Sequence, residues 1–108
     1  MKRGEVWWVE FDPAIGSEIA KRRPAIIVSN DSANRNLSRV VVIPVTSNTA
    51  RVFPGEALVK IGNQTSKAMA DQIMAADKSR LKNQLGAISK GDLEFLEHAI
   101  RIHLGLAV

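Results

Sequence analysis

The clearest helical pattern in this chain comes last, and everything ahead of it reads as short strands. From Ser89 onward, Leu93, Leu96, Ile100 and Leu104 form one stripe, and Phe95, Ala99, Ile102 and Leu106 form another. At about 100° per residue the two stripes together exceed half of the helix circumference. Glu94, Glu97, His98 and Arg101 occupy the polar remainder, with Glu97 and Arg101 at the i,i+4 spacing of an ion pair. Ser89, with Asp92 three residues on, reads as an N-cap followed by a first-turn acid. So wide an apolar arc predicts burial on two sides, against the body of the domain and against a partner subunit.

The strand candidates are short and punctuated. Glu5–Phe11 (EVWWVEF) alternates, with Trp7, Val9 and Phe11 on a predicted core face and Val6, Trp8 and Glu10 on the other. Trp8 is therefore the tryptophan placed to meet a partner or ligand. A loop at 12–22, marked by Pro13 and Gly16, ends in the cationic run Lys21-Arg22-Arg23. Residues 24–29 and 39–46 read as the next two strands, separated by a polar loop with a helical turn. Pro44 implies an edge position or a bulge, because proline has no ladder donor. Further strands are expected at 56–61, near 67–70 and at 71–77, with a short helical turn at 81–85. Several short strands followed by one helix predict a small, strongly bent sheet or barrel with the helix packed on it, mainly β with α, in a single domain over residues 1–108.

Composition narrows the chemistry. Fifteen Lys and Arg against eleven Asp and Glu give a formal charge of +4, which favours polyanionic or acidic partners. With no cysteine there is neither a disulfide nor a thiolate metal site. His98 and His103 show no metal-ligand or triad spacing. The start of the chain lacks an apolar stretch, and no membrane span is expected, so the default location is the cytoplasm.

What remains is arginine, hydroxyl and carboxylate. Arg23 precedes Pro24, which biases its backbone to an extended conformation. A guanidinium there can bind a phosphodiester bidentately and stabilise charge developing on phosphorus. Thr46 or Ser47, at the end of a strand, can donate to the same group. Glu18, in the preceding loop, can accept a proton from a ribose 2′-OH. Such roles need no cofactor, since RNA carries its own nucleophile.

The order of segments resembles the MazF/PemK family of toxin endoribonucleases. The matching stretches are Gly4-Glu5-Val6-Trp7-Trp8-Val9-Glu10-Phe11-Asp12-Pro13, Gly16-Ser17-Glu18 and Arg23-Pro24-Ala25-Ile26-Ile27-Val28-Ser29. They continue with Ile43-Pro44-Val45-Thr46-Ser47, Asp71-Gln72-Ile73 and Asp77-Lys78-Ser79-Arg80-Leu81. The resemblance implies an SH3-like β-barrel with a C-terminal α-helix, shared with the CcdB-like gyrase poisons, and assembly as a homodimer. It implies metal-independent, sequence-selective cleavage of single-stranded RNA, leaving 2′,3′-cyclic phosphate and 5′-OH ends. Carried onto this chain, the catalytic residues are Arg23, Thr46 and Glu18. The RNA-binding set is Trp8, Ser17, Lys21, Arg22, Ser47, Asn48, Asp71 and Gln72. The family also implies a cognate antitoxin whose acidic segment competes for the RNA surface.

Two positions depart from the family pattern: Met69 stands where some members carry an arginine, and Ser17 where others carry a histidine. A gyrase-binding, non-catalytic toxin and an inactive RNA-binding relative are the alternative readings. The Arg23-Pro24 and Pro44-Val45-Thr46 motifs favour the nuclease.

Overall fold

The computed structural model describes residues 1–11 and 21–108. Its strands are β1 (Glu5–Glu10), β2 (Arg22–Ile27), β3 (Arg39–Thr46), β4 (Glu56–Ile61), β5 (Gln64–Met69), β6 (Met74–Asp77) and β7 (Leu81–Ala87). The helices are α1 (Asp31–Asn36) and α2 (Lys90–Leu104). The sheet runs β4-β5-β3-β2-β1-β7, with β6 set against β3, and every pairing among the described residues is antiparallel.

β3 curls the sheet by changing partners. Its first half, Arg39 to Val42, pairs with Asp77 to Met74 of β6, whereas Val45 and Thr46 pair with Ala68 and Lys67 of β5. Pro44 lies in the interval between these two ladders. The expected edge position is thus local, on a strand that is otherwise flanked on both sides. A residue without an N–H suits a gap where no neighbour asks for one. The 3-10 turn Ala70–Gln72 carries the chain from β5 to β6 across that gap.

The curled sheet buries both of its faces. Inside the barrel formed by β7, β1, β2, β3 and β6 lie Val9, Phe11, Ala25, Ile27, Val40, Val42, Ala76 and Leu81, with Trp7 packed against them. On the other face Val6, Ile26, Ile43, Val45, Val59 and Ala68 meet Leu96 and Ala99 of α2. The core role expected of Trp7, Val9 and Phe11 holds. The opposite face is not free, however, because Val6 is fully buried under the helix.

Both ends of α2 follow from sequence. The Ser89 hydroxyl accepts the Asp92 amide at 3.1 Å, and Gly105, at φ +70°, closes the last turn in the left-handed region. Glu97 and Arg101 pair at 3.7 Å. Only the middle of the apolar arc is buried, and it draws on both stripes: Leu96 and Ala99 fully, Leu93 and Ile100 in part. Phe95, Ile102, Leu104 and Leu106 stay exposed.

The segment 81–85, expected as a helical turn, is instead strand β7; the turn lies just before it, at Lys78–Arg80, where Asp77 accepts the Ser79 amide at 2.9 Å. Pairing with β1 overrides the weak local pattern there. The stretch 71–77 divides into the 3-10 turn and β6. Arg22 belongs to β2, not to the preceding loop, and β5 begins at Gln64. The helical turn expected between β2 and β3 is α1, capped by Asn30, whose side chain accepts the Ala33 amide at 2.8 Å.

Candidate active site

Neighbouring strands bring the predicted arginine and threonine to the same end of the sheet. β2 and β3 pair Ile27 with Val42, Ile26 with Ile43 and Ala25 with Pro44. Continued by two residues, that register sets Arg23 opposite Thr46. Residues opposed on antiparallel strands project from the same face with their Cβ atoms close together. Arg23 is also opposite Val9 of β1, so its backbone is held from the other flank.

Both side chains keep unused hydrogen-bonding capacity. The Arg23 Nε is buried and has no hydrogen-bond partner among the described residues. Buried polar groups are nearly always satisfied, so this one is ready for an incoming acceptor. Thr46 Oγ1 accepts the Asn48 amide at 3.2 Å. That contact uses a lone pair and leaves the hydroxyl proton to be donated.

A cavity of about 510 Å³ opens at this end of the sheet, where β2 starts and β3 stops. Lys21, Arg22 and Arg23 line it with Thr46, Ser47 and Trp8, and no acidic side chain is among its described lining residues. Three cations around one concavity favour an anion. The Lys21 backbone is left-handed at φ +66°, and its carbonyl accepts the Phe11 amide at 2.8 Å. Arg22 lies 5.7 Å from the centre of the Trp8 ring and donates from Nη2 to Asn83 Oδ1 at 2.8 Å.

The remaining predicted residues are distributed unevenly. Asn48 joins the site through its bond to Thr46 but does not line the cavity. Asp71 and Gln72 occupy the 3-10 turn and are not part of its lining. Near Asp71, a side chain added at Gly55 would meet the His103 ring at 3.5 Å and the Asp71 Cβ at 3.8 Å. Gln72 Nε2 approaches Met69 Sδ at 3.9 Å, and Met69 itself is buried. Ser17 and Glu18 lie outside the described residues. Sequence reasoning missed Gln64, Ser66, Ile61 and Leu85, all of which line the cavity. Ser66 had a signal: it shares a strand face with the buried Ala68, an unusual place for a hydroxyl.

A curled barrel with a C-terminal helix and a cleft whose described lining is cationic and without a carboxylate is the scaffold of a protein that handles an anionic polymer. The family described as PemK-like, MazF-like toxin of type II toxin-antitoxin system matches residues 2–104. Endoribonuclease MazF9 of Mycobacterium tuberculosis is 43% identical over 115 residues, covering 98% of each chain. Endoribonuclease MazF of Staphylococcus saprophyticus is 32% identical over 98% of this chain and 92% of its own. Among solved structures, MazF from Deinococcus radiodurans superposes with a TM-score of 0.86 at 27% identity, covering 98% of this chain and 97% of its own. A mycobacterial endoribonuclease in complex with its cognate antitoxin gives 0.85 at 25% identity, covering 100% and 98%. The chain belongs to the PemK/MazF-like family of toxins of type II toxin–antitoxin systems.

Proposed function

We propose that this chain is an endoribonuclease toxin that cuts single-stranded RNA at short sequences without a cofactor. The substrate's 2′-oxygen attacks the adjacent phosphorus and its proton passes to Glu18. The bond from phosphorus to the 5′-oxygen breaks, and that oxygen takes a proton from solvent water. The products are a 2′,3′-cyclic phosphate and a 5′-OH. Arg23 holds the phosphodiester and stabilises the charge that builds on its oxygens, and the Thr46 hydroxyl donates to the same group. Lys21 and Arg22 draw in the backbone, and Ser47 and Asn48 extend the contact along the loop after β3.

The observation that carries this reading is the unpartnered, buried Nε of Arg23, a residue that lines one cavity with Thr46. A surface arginine kept for solubility leaves its head in water; this one is held in a cationic concavity.

Within the same reading the protein acts in the cytoplasm as a homodimer and is silenced by a cognate antitoxin. An acidic, disordered segment suits the Lys21-Arg22-Arg23 cluster and would exclude RNA by occupying it. The exposed stripe of α2 supplies the surface for the second copy. Among the described residues no helix is long and apolar enough to cross a membrane.

The test is to incubate unstructured RNA with the protein in excess chelator and to sequence the ends. The wild type should leave cyclic-phosphate and 5′-OH termini at a recurring short motif. Arg23→Ala should lose at least about 100-fold in rate, as removal of a charge-stabilising donor does, while its thermal unfolding stays cooperative. Cleavage that needs added metal, or that survives in Arg23→Ala, would overturn the assignment.

A further inference from the structure

One arginine in the cavity is held in a more defined pose than attraction of the backbone requires. Arg22 stands opposite Glu10 of β1, two residues along from the pair Trp8–Pro24, and therefore projects on the same side as Trp8. Its guanidinium carbon lies 5.7 Å from the ring centroid of Trp8, and Nη2 donates to Asn83 Oδ1 at 2.8 Å. Asn83 belongs to β7, on the far flank of β1. The side chain is thus drawn across the strand that carries Trp8 and anchored beyond it. Arg22 makes no ion pair among the described residues. A neutral amide orders the guanidinium without cancelling its charge, which a carboxylate in the same place would do.

Strand alternation sets Trp8 and Arg22 on the opposite side of the sheet from Arg23 and Thr46. All four nevertheless line one cavity, because it straddles the end of the sheet. A polynucleotide crossing that end, with a phosphate at Arg23 and Thr46, presents its neighbouring base to Trp8. Ile61 and Leu85 add apolar surface to the lining, with Gln64 and Ser66 as neutral polar groups among them. A flat ring with polar edges fits both the indole and that lining.

We propose that Trp8 and Arg22 are the two jaws of a stacking clamp for an unpaired nucleobase beside the scissile phosphate, and that Asn83 is the positioning residue that holds the upper jaw. The clamp rests on the RNA reading above and deepens it. An entering base exchanges the indole–guanidinium contact for stacking on each, and both are favourable faces for a base. Stacking accepts any base, so the clamp sets how tightly RNA is held and leaves the choice of cut sequence to other groups.

The probe is a single-stranded oligonucleotide carrying a 2′-deoxy sugar at the scissile position, so that it binds without being cut. The protein is the full chain with Trp7→Phe, which leaves Trp8 as its only indole. Saturating oligonucleotide should quench Trp8 emission. Asn83→Ala should weaken binding about tenfold, within the range of one lost base stack, and should raise KM on cleavable RNA far more than it lowers kcat. Asn83→Gln should recover part of the loss. Arg22→Ala should weaken binding at least as much as Asn83→Ala, since it removes the jaw itself, again within the range of one lost base stack. Asn83 is exposed on an edge strand, so an unchanged melting temperature for Asn83→Ala separates a positioning role from damage to the fold.

Wild-type affinity and quenching in Asn83→Ala would overturn the clamp while leaving the nuclease assignment intact. So would Trp8 emission that ignores bound RNA but responds to an acidic peptide, since the cavity would then belong to a protein partner. An oligonucleotide that fails to bind the wild type removes the RNA reading and the clamp together.

Discussion

Lys21 gives its carbonyl to the Phe11 amide at 2.8 Å while its own backbone sits in the left-handed region at φ +66°. That hydrogen bond closes the ladder between β1 and β2, and the left-handed turn aims the two arginines that follow. A side chain in that region costs on the order of 1 kcal/mol and persists where the surroundings enforce it.

Lys21→Val is therefore expected to be worse than Lys21→Gly. A β-branched side chain raises the backbone cost, whereas glycine removes it and loses a similar amount through unfolded-chain entropy. We expect Lys21→Gly to melt within a few degrees of the wild type and Lys21→Val to melt about 4–8 °C lower, the shift that 1 kcal/mol produces in a domain near this size. Differential scanning calorimetry checks this; equal melting temperatures for the two variants would mean the backbone there carries no strain.

Thr46 should separate its two contributions by substitution. Thr46→Ser keeps both the acceptor for the Asn48 amide and the donated proton, and most of the cleavage rate should remain. Thr46→Val loses both, with an expected rate loss of about 100-fold and a stability loss of about 1 kcal/mol for the broken turn contact. Initial rates on a fluorogenic oligoribonucleotide and urea melts give the two numbers separately. A Thr46→Val protein that cuts normally would exclude the hydroxyl from the chemistry.

The exposed stripe of α2 predicts self-association. Phe95 is 69% exposed and Leu104 is 50% exposed, an unusual state for large apolar side chains lying on one helix. Sedimentation at micromolar concentration should show a dimer, and Leu104→Asp should shift it toward monomer without unfolding α2. A wild-type monomer under those conditions would contradict the proposed homodimer.

Acid should weaken the turn between β6 and β7. The Ser79 hydroxyl and the Ser79 amide both donate to Asp77, and these hydrogen bonds hold its carboxyl below the usual aspartate value. A depressed folded-state pKa contributes stability above the unfolded value, and the contribution fades as pH falls from about 4 through the lower folded value. The melting temperature of Asp77→Asn should accordingly lie below the wild type at pH 7, and the gap should shrink as pH falls below about 4. A gap that stays constant with pH would mean that the charge of Asp77 is irrelevant to the turn.

The legible parts of this fold were those where local chemistry and tertiary packing agree. β3, β4 and α2 announce themselves through β-branched alternation, a Gly62-Asn63 turn, and a serine cap with a terminal glycine. β7 did not, because Leu81–Ala87 has little strand propensity of its own and exists through its pairing with β1. At the site, Arg23 and Thr46 could be named from sequence because each ends an apolar run. Their meeting in one cavity could not, since it depends on a strand pairing that only the folded sheet displays. Asp71 and Gln72 share a motif with the site in sequence, yet the 3-10 turn carries them outside the cavity lining within one protomer. Asn83 had no local signal at all; it matters only because β7 folds back beside β1.

The switch of partners along β3 leaves Arg23 and Thr46 on unequal footings. Arg23 stands on a strand braced by neighbours left and right, whereas Thr46 is tied on its outer flank through only the last two rungs to the β4–β5 hairpin. A pull on that hairpin's tip at Gly62 would reach the hydroxyl first and leave the guanidinium where it was. Anything that grips the tip therefore has a lever on the spacing of Thr46 from Arg23 without entering the cavity.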